Sequence, residues 1–223
     1  MSNKAADRAS SPVSFDRAYY KTQYRNYERQ NPARKLAFYR QLVELVVAGV
    51  ERPRVLDIGC AFGHFLSSLP LHWQRCGMDA SDYAIGCASK RAPEIEFGIS
   101  TPEAYPFEGY FDVITAFDVL EHVAGVSDMF DWIVGHLRPG AGLVFVVPVY
   151  DGLAGPVIRV LDKDPTHIHR SSRKFWLLAD PRLQLMDWWG ILRYLLPGGI
   201  YIHAVTHRWR DFCPAIACVM RRR

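Results

Sequence analysis

Val55-Leu56-Asp57-Ile58-Gly59-Cys60-Ala61-Phe62-Gly63 is the stretch on which the reading of this chain turns. Arg54 to Ile58 is short and largely apolar, the pattern of a parallel strand buried on both faces. Small residues at 59, 61 and 63 then allow a tight turn and let a ligand approach the backbone. Gly63 to Leu69 reads as a helix that Pro70 stops. Strand, glycine-rich turn and helix form a nucleotide-binding unit, whose ligand lies outside the carboxyl ends of the strands. Two details narrow the ligand. A pyrophosphate-binding turn wants glycine at position 64, where this chain has histidine. Asp57 also stands two places before the first glycine, where a carboxylate repels a pyrophosphate and suits a cationic amino group or sulfonium.

Outward from this turn the pattern repeats. Trp73–Met78, Ile95–Ile99, Phe111–Ala116 and Leu143–Val147 read as further strands. Ser81 caps a helix running to about Arg91, with Pro93 breaking the chain. Phe130, Ile133, Val134 and Leu137 stripe another helix, with Ser127 as its cap. Pro139-Gly140 marks a turn. Upstream, Phe15 to Gln30 reads as helical, with Tyr20, Tyr24 and Tyr27 on one face. Asn31-Pro32 reads as an N-cap followed by proline at the first helical position. The helix it starts carries Leu36, Tyr39, Leu42, Val43, Val46 and Val47 as its stripe. Past Pro148 the pattern predicts helices over 152–161 and 172–179, and late strands over 183–188 and 215–220 that end the sheet like a hairpin. Strands separated by helices imply right-handed crossovers. The expected fold is α/β, a doubly wound, mostly parallel, seven-stranded Rossmann-like sheet.

Composition agrees with one such unit. The chain has 223 residues, 49% of them hydrophobic, enough for one sizeable core. A net charge of +4 is too mild to argue for nucleic acid as a partner. Its one basic cluster, Arg221 to Arg223, reads as a solvated tail. Five cysteines without a CxxC pair fit a reducing cytosol better than a disulfide framework. Met1 to Ser14 lacks an apolar signal segment and reads as a disordered lead-in. Trp188 to Val205 is apolar but interrupted by Arg193, Pro197, Gly198 and Gly199. It is too broken for a stable membrane insertion and reads as a buried or pocket-covering segment. A homodimer is compatible with these features.

A second element follows the turn, Gly77-Met78-Asp79-Ala80-Ser81. Asp79 ends the second strand, where an acidic side chain accepts hydrogen bonds from both ribose hydroxyls. With the turn at 55–63 and the run Phe111-Asp-Val-Ile-Thr-Ala-Phe117-Asp-Val-Leu-Glu121-His122-Val123, it resembles the class I S-adenosylmethionine-dependent methyltransferases. Within these it is most similar to the small-molecule branch that includes quinone-biosynthesis methyltransferases. Leu137-Arg-Pro-Gly140 is similar to the family's lead-in to its fifth strand. The resemblance covers about residues 36–150 and implies S-adenosyl-L-methionine as cofactor. It implies that Gly59, Ala61 and Gly63 line its methionine and ribose side, that Asp57 orders the loop and favours the amino group, and that Asp79, beside Ala80, binds the ribose. Phe117 would contact the methionine moiety; the tyrosine face at 20, 24 and 27 either packs on the core or, as the family frequently uses its N-terminal helices, forms a lid from which Tyr24 closes over the cofactor. The family commonly has an acidic partner for the adenine amino group where Thr101 stands, so Thr101, with Ser100, is expected there. The implied division is 15–50 as helical lid, 51–150 as cofactor core, and 151–223 as substrate-facing segment and last strands, all one domain.

Methyl transfer to a hydroxyl needs alignment and a base. His122, just after the fourth strand, and His167, in the run Asp162-Lys-Asp164-Pro-Thr-His167-Ile-His169-Arg-Ser-Ser172, are the candidate catalytic residues. Three readings of that run compete: a polar loop capped by Ser171 or Ser172, a base with substrate contacts, and a metal site of Asp162, Asp164, His167 and His169. No metal is assigned. Trp176, Trp188, Trp189, Tyr194 and Tyr201 are either core or an aromatic pocket. The expected activity is cytoplasmic methylation of a small molecule, at oxygen ahead of nitrogen or carbon. An NAD-dependent oxidoreductase and a non-catalytic binding protein of the same fold are the rivals.

Overall fold

The computed structural model describes residues 17, 20, 27–100, 105–152, 155–162, 164, 166–196 and 200–223. The lead-in at 1–14, most of the helix expected over 15–30, Tyr24 and Thr101 lie outside them. In chain order the elements are α1 (Tyr27–Gln30), α2 (Ala33–Val46), β1 (Arg54–Ile58), α3 (His64–Ser67), β2 (Gln74–Asp79), α4 (Asp82–Arg91), β3 (Glu96–Ile99), β4 (Phe111–Phe117), a 3-10 turn (Leu120–His122), α5 (Val126–His136), β5 (Leu137–Pro148), α6 (Gly155–Leu161), α7 (Arg173–Leu177), β6 (Leu183–Leu196), β7 (Ile200–Thr206), a second 3-10 turn (Arg210–Phe212) and β8 (Ala215–Arg222).

The sheet has eight strands in the order β3-β2-β1-β4-β5-β8-β6-β7, one more than expected. The pairings from β3 through β5 are parallel, as the alternation of strand and helix requires, and those beyond are antiparallel. The extra strand comes from the apolar stretch 188–205. Its two halves fold as a hairpin, β6 on β7, from Gly190↔Thr206 to Leu196↔Ile200. Period-2 patterning is hard to separate from a buried run when both are this apolar.

Alternation along the central strands divides the core. Leu143, Phe145 and Val147 of β5 pack with Ile114 and Ile133 on one face. Val144 and Val146 pack with Val55, Val113, Leu42 and Val43 on the other. Ser81 caps α4 as expected, accepting from Ala84 N at 3.2 Å. Ser127 does not cap α5. That helix opens at Gly125, whose carbonyl takes the first bond from Met129 N, and Ser127 falls in its first turn. Asn31 is likewise displaced by Pro32 as the N-cap of α2 and donates its amide to Tyr27 O instead. Pro139-Gly140 is a kink inside β5: Phe111 pairs with Leu137, Val113 pairs with Gly142, and the register slips between them. Among the described residues no helix is long and apolar enough to cross a membrane.

Candidate functional site

The turn after β1 forms the floor of a cavity of about 720 Å³ that opens over β1, β2 and β4. Gly59 and Gly63 both take left-handed backbone angles, φ +68° and +71°. A Cβ on Gly59 would meet Val119 Cγ2 at 2.3 Å, so the side chain is excluded by packing as well as by φ. Ala61 also has positive φ, +47°, and its amide donates to Asp79 Oδ2 at 2.9 Å. Asp79 accepts further from Ser81 N at 2.9 Å and Tyr20 Oη at 3.3 Å. The carboxylate expected to meet a ribose therefore also holds the turn in shape.

Asp57 is buried and accepts from Thr115 Oγ1 at 2.6 Å. Burial, with the nearby Asp79 charge adding to it, pushes its carboxyl up to about 7. Burial likewise raises Asp79. Two desolvated carboxylates beside one cavity are offset by a cation and worsened by a phosphate. That chemistry fits the sulfonium and ammonium of S-adenosyl-L-methionine. Tyr20 and Tyr27 reach the same cavity wall from the N-terminal side, with Phe62 between them. Ala80 and Ser100 line it too. Phe117 stacks on Tyr39 with ring centroids 4.1 Å apart and meets Phe65 edge-on.

The far end of the cavity carries the histidines. His167 Nδ1 donates to Asp162 Oδ2 at 2.8 Å, and Tyr150 Oη donates to the same oxygen at 2.5 Å. That fixes the ring and directs Nε2 toward Glu121 Oε1 and Asp164 Oδ2, each 4.0 Å away. His122 Nδ1 donates to Thr166 O at 3.1 Å, and its ring lies 4.7 Å from that of His167. Burial pulls the His122 imidazole below its ordinary range, and the neighbouring His167 adds to this. His169 turns away, its Nε2 donating to Val123 O at 2.8 Å. The four residues read as a metal set are thus split, and Glu121 takes part instead. Glu121, His122 and His167 bring one ligand atom each within 4.8 Å of one another. Glu121 is fully buried, and among the described residues neither carboxylate oxygen has a hydrogen-bond partner. Burial and the Asp118 charge hold its carboxyl well above the usual range.

Three further charged residues complete the walls: Asp118, inside the run 111–123, and Lys35 and Arg193, which belong to no motif. Asp118 has φ +59° and forms an ion pair with Arg193 from β6. Burial alone would raise the Asp118 carboxyl, but Arg193 and then Lys35 outweigh it and hold it below the usual range. Lys35, from the first turn of α2, is buried beside Tyr39 and Tyr201. The signal for Arg193 was its isolation, a lone guanidinium in an apolar stretch. Lys35 carried no such signal, because a lysine in a first helical turn reads as solvated. Of the aromatic candidates, Tyr201 lines the cavity, Trp176 is fully buried in the core, and the Tyr194 side chain lies outside the described residues.

The chain matches the family described as "Methyltransferase domain" over residues 25–195. It is 31% identical over 110 residues to the ubiquinone biosynthesis O-methyltransferase of Shewanella halifaxensis, covering 46% of each chain. It is 36% identical over 138 residues to the enzyme of that name from Parvibaculum lavamentivorans, covering 55% of this chain and 53% of the relative. The chain thus spans about half the length of the curated relatives it matches. Among solved structures it is similar in fold to the N-methyltransferase NodS of Bradyrhizobium japonicum in complex with S-adenosyl-L-homocysteine. There the TM-score is 0.60 and the identity 19%, over 91% of this chain and 97% of that one.

Proposed function

The chain belongs to the methyltransferase-domain family, and on that premise we propose that it methylates a hydroxyl of a small molecule with S-adenosyl-L-methionine as donor. The observation that carries the cofactor is the buried pair Asp57 and Asp79 framing a glycine turn at the cavity floor. Asp57 and the backbone at Gly59 to Gly63 would hold the aminoacyl end, Asp79 the ribose, Phe117 the methionine chain, and Ser100 with Thr101 the adenine. Tyr20 and Tyr27 line the cavity from the N-terminal side and, with Tyr24, would close over the cofactor. The cofactor supplies an electrophilic methyl group on a sulfonium, a good leaving group.

The protein's share of the work is alignment and proton removal. His167 is the base. Asp162 accepts its Nδ1 proton, so Nε2 is the basic atom and faces the cavity. The acceptor's hydroxyl proton passes to Nε2, and the resulting imidazolium is stabilised by Asp162, with Asp164 4.0 Å from Nε2. His122 holds the Thr166 backbone beside it and is a positioning residue. A second reading draws support from the two unpartnered Glu121 oxygens: a divalent cation held by Glu121, His122 and His167 would polarise the acceptor hydroxyl in place of a free base.

Calorimetric titration with S-adenosylhomocysteine and with NAD tests the cofactor. Micromolar binding of the first and none of the second is expected; the reverse sinks the proposal. Screening a metabolite extract with methyl-labelled cofactor identifies an acceptor, and His167→Ala should then lower turnover by about 10²- to 10⁴-fold. Recovery of activity by magnesium or zinc after chelation, absent before addition, selects the cation reading over the free base.

A further inference from the structure

Lys35 is 7% exposed, yet it lines the cavity. Its ammonium has three donors. Among the described residues one of them reaches Gln30 O at 3.3 Å, and the faces of Tyr39 and Tyr201 lie 5.5 and 5.7 Å from the ammonium. The carboxylate whose charge acts on Lys35, Asp118, is already engaged by Arg193. His203 stands behind them, also buried, with Nε2 lacking a hydrogen-bond partner among the described residues. Arg34 closes the outside, donating to Tyr201 O at 2.9 Å. At this corner the buried Lys35 and the partly buried Arg193 face one partly buried carboxylate, Asp118. Their excess is felt locally: burial, then Lys35 and Arg193, push the His203 imidazole down to about 4, and burial brings Lys35 itself down to about 8. A buried cation without a full counter-charge is costly, and a bound anion offsets that cost.

We infer that the corner formed by Lys35, Arg193 and Tyr201 binds a carboxylate-class anionic group of the methyl acceptor, so that the substrate is an acidic hydroxy compound. The inference rests on the methyltransferase reading above and names its substrate class. Position favours the acceptor over the cofactor as the source of the anion. Arg193 and Tyr201 come from β6 and β7 respectively, beyond β5 and β8 from the glycine turn. The charges felt by Lys35 are those of Asp118 and Arg193, at the end of β4 and on β6, and not those of Asp57 and Asp79 at the turn. Glu121, Asp164 and the two histidines line the same cavity. A substrate whose anion sits on Lys35 presents its remaining polar groups to the proposed base, while Tyr39 and Tyr201 accommodate an apolar or aromatic body between.

The test uses the full chain and the probes benzoate and benzamide, which share shape and differ in charge. Titrated into the chain saturated with S-adenosylhomocysteine, benzoate should bind at least tenfold more tightly than benzamide. Lys35→Met should erase that ratio, and Lys35→Arg, which keeps the charge, should restore most of it. A fold defect lowers both affinities together and leaves the ratio intact, so the ratio reports the charge itself. In parallel, S-adenosylhomocysteine and 5′-methylthioadenosine, which lacks the aminoacyl carboxylate, are titrated into wild type and Lys35→Met. An unchanged ratio of these two supports the acceptor as the source. A tenfold loss confined to S-adenosylhomocysteine assigns Lys35 to the cofactor's carboxylate and overturns the inference. Equal binding of benzoate and benzamide by a wild type that binds S-adenosylhomocysteine overturns it as well, leaving the methyltransferase reading intact. A wild type that fails to bind S-adenosylhomocysteine overturns both.

Discussion

Replacing Gly59 with alanine puts a methyl group where the fold has no room and no favourable backbone angle. Gly59 has φ +68°, a region that costs an L-residue about 1–2 kcal/mol. The new Cβ would also lie 2.3 Å from Val119 Cγ2 and 3.2 Å from its Cγ1. Valine is stiff at χ1, so it escapes only by leaving its rotamer, at about 0.5–1.5 kcal/mol, or by pushing the turn. Alanine's lower entropy in the unfolded chain returns about 0.4–1 kcal/mol. The sum is a loss of about 2 kcal/mol, read as a lower urea midpoint with an unchanged slope. Because Val119 also lines the cavity, affinity for S-adenosylhomocysteine should fall alongside. Val119→Ala supplies the decisive comparison. It removes both clashing methyls and leaves Cβ at 3.3 Å, so the double variant should recover the steric part and retain the backbone part. Additive losses in the double-mutant cycle, or a Gly59→Ala chain within about 0.5 kcal/mol of wild type, would refute the steric account of this turn.

Further outcomes follow from the same site. Asp79→Ala should weaken S-adenosylhomocysteine binding by about 1–3 kcal/mol and also lower the melting temperature, since Ala61 N and Ser81 N lose their acceptor; unchanged affinity by calorimetry rejects the ribose assignment. The Asp57 carboxyl, raised to about 7, makes the folded state hold a proton that the unfolded chain releases near pH 4, so its contribution to stability falls as pH rises between those values. Asp57→Asn removes that dependence, and between pH 4 and pH 8 its stability should gain on wild type by at most about 4 kcal/mol; parallel stability–pH curves contradict it. Glu121→Gln removes a buried carboxyl raised for the same reason, so its melting temperature should exceed that of wild type more at pH 8 than at pH 5, while turnover falls; a variant less stable at pH 8 shows that Glu121 has a partner in the fold.

The sequence by itself determined the local machinery. Strand, glycine turn and helix at 54–67, the acidic end of β2 and the Ser81 cap are set by residues close in the chain, where φ preference, apolar runs and capping chemistry act directly. The same local rules misjudged Ser127 and Asn31, because several neighbouring residues can cap and packing selects one. Only the tertiary structure decided what gathers at the far end of the cavity. Glu121, His122, Asp162 and His167 meet there because the chain returns over the end of β4 and bonds its Ile168 and His169 amides to Glu121 O. Lys35, Asp118 and Arg193 come from α2, the end of β4 and the hairpin that adds the eighth strand. Lys35 and Asp118 read as ordinary surface charges, and Arg193 only as a lone charge in an apolar stretch, until folding sets them together and withdraws much of their water. Desolvation depends on what lies around a group in space, and sequence spacing does not encode that. The glycine turn at 57–63 therefore declared where a ligand binds, and the buried charges brought together by the sheet decide what it meets there.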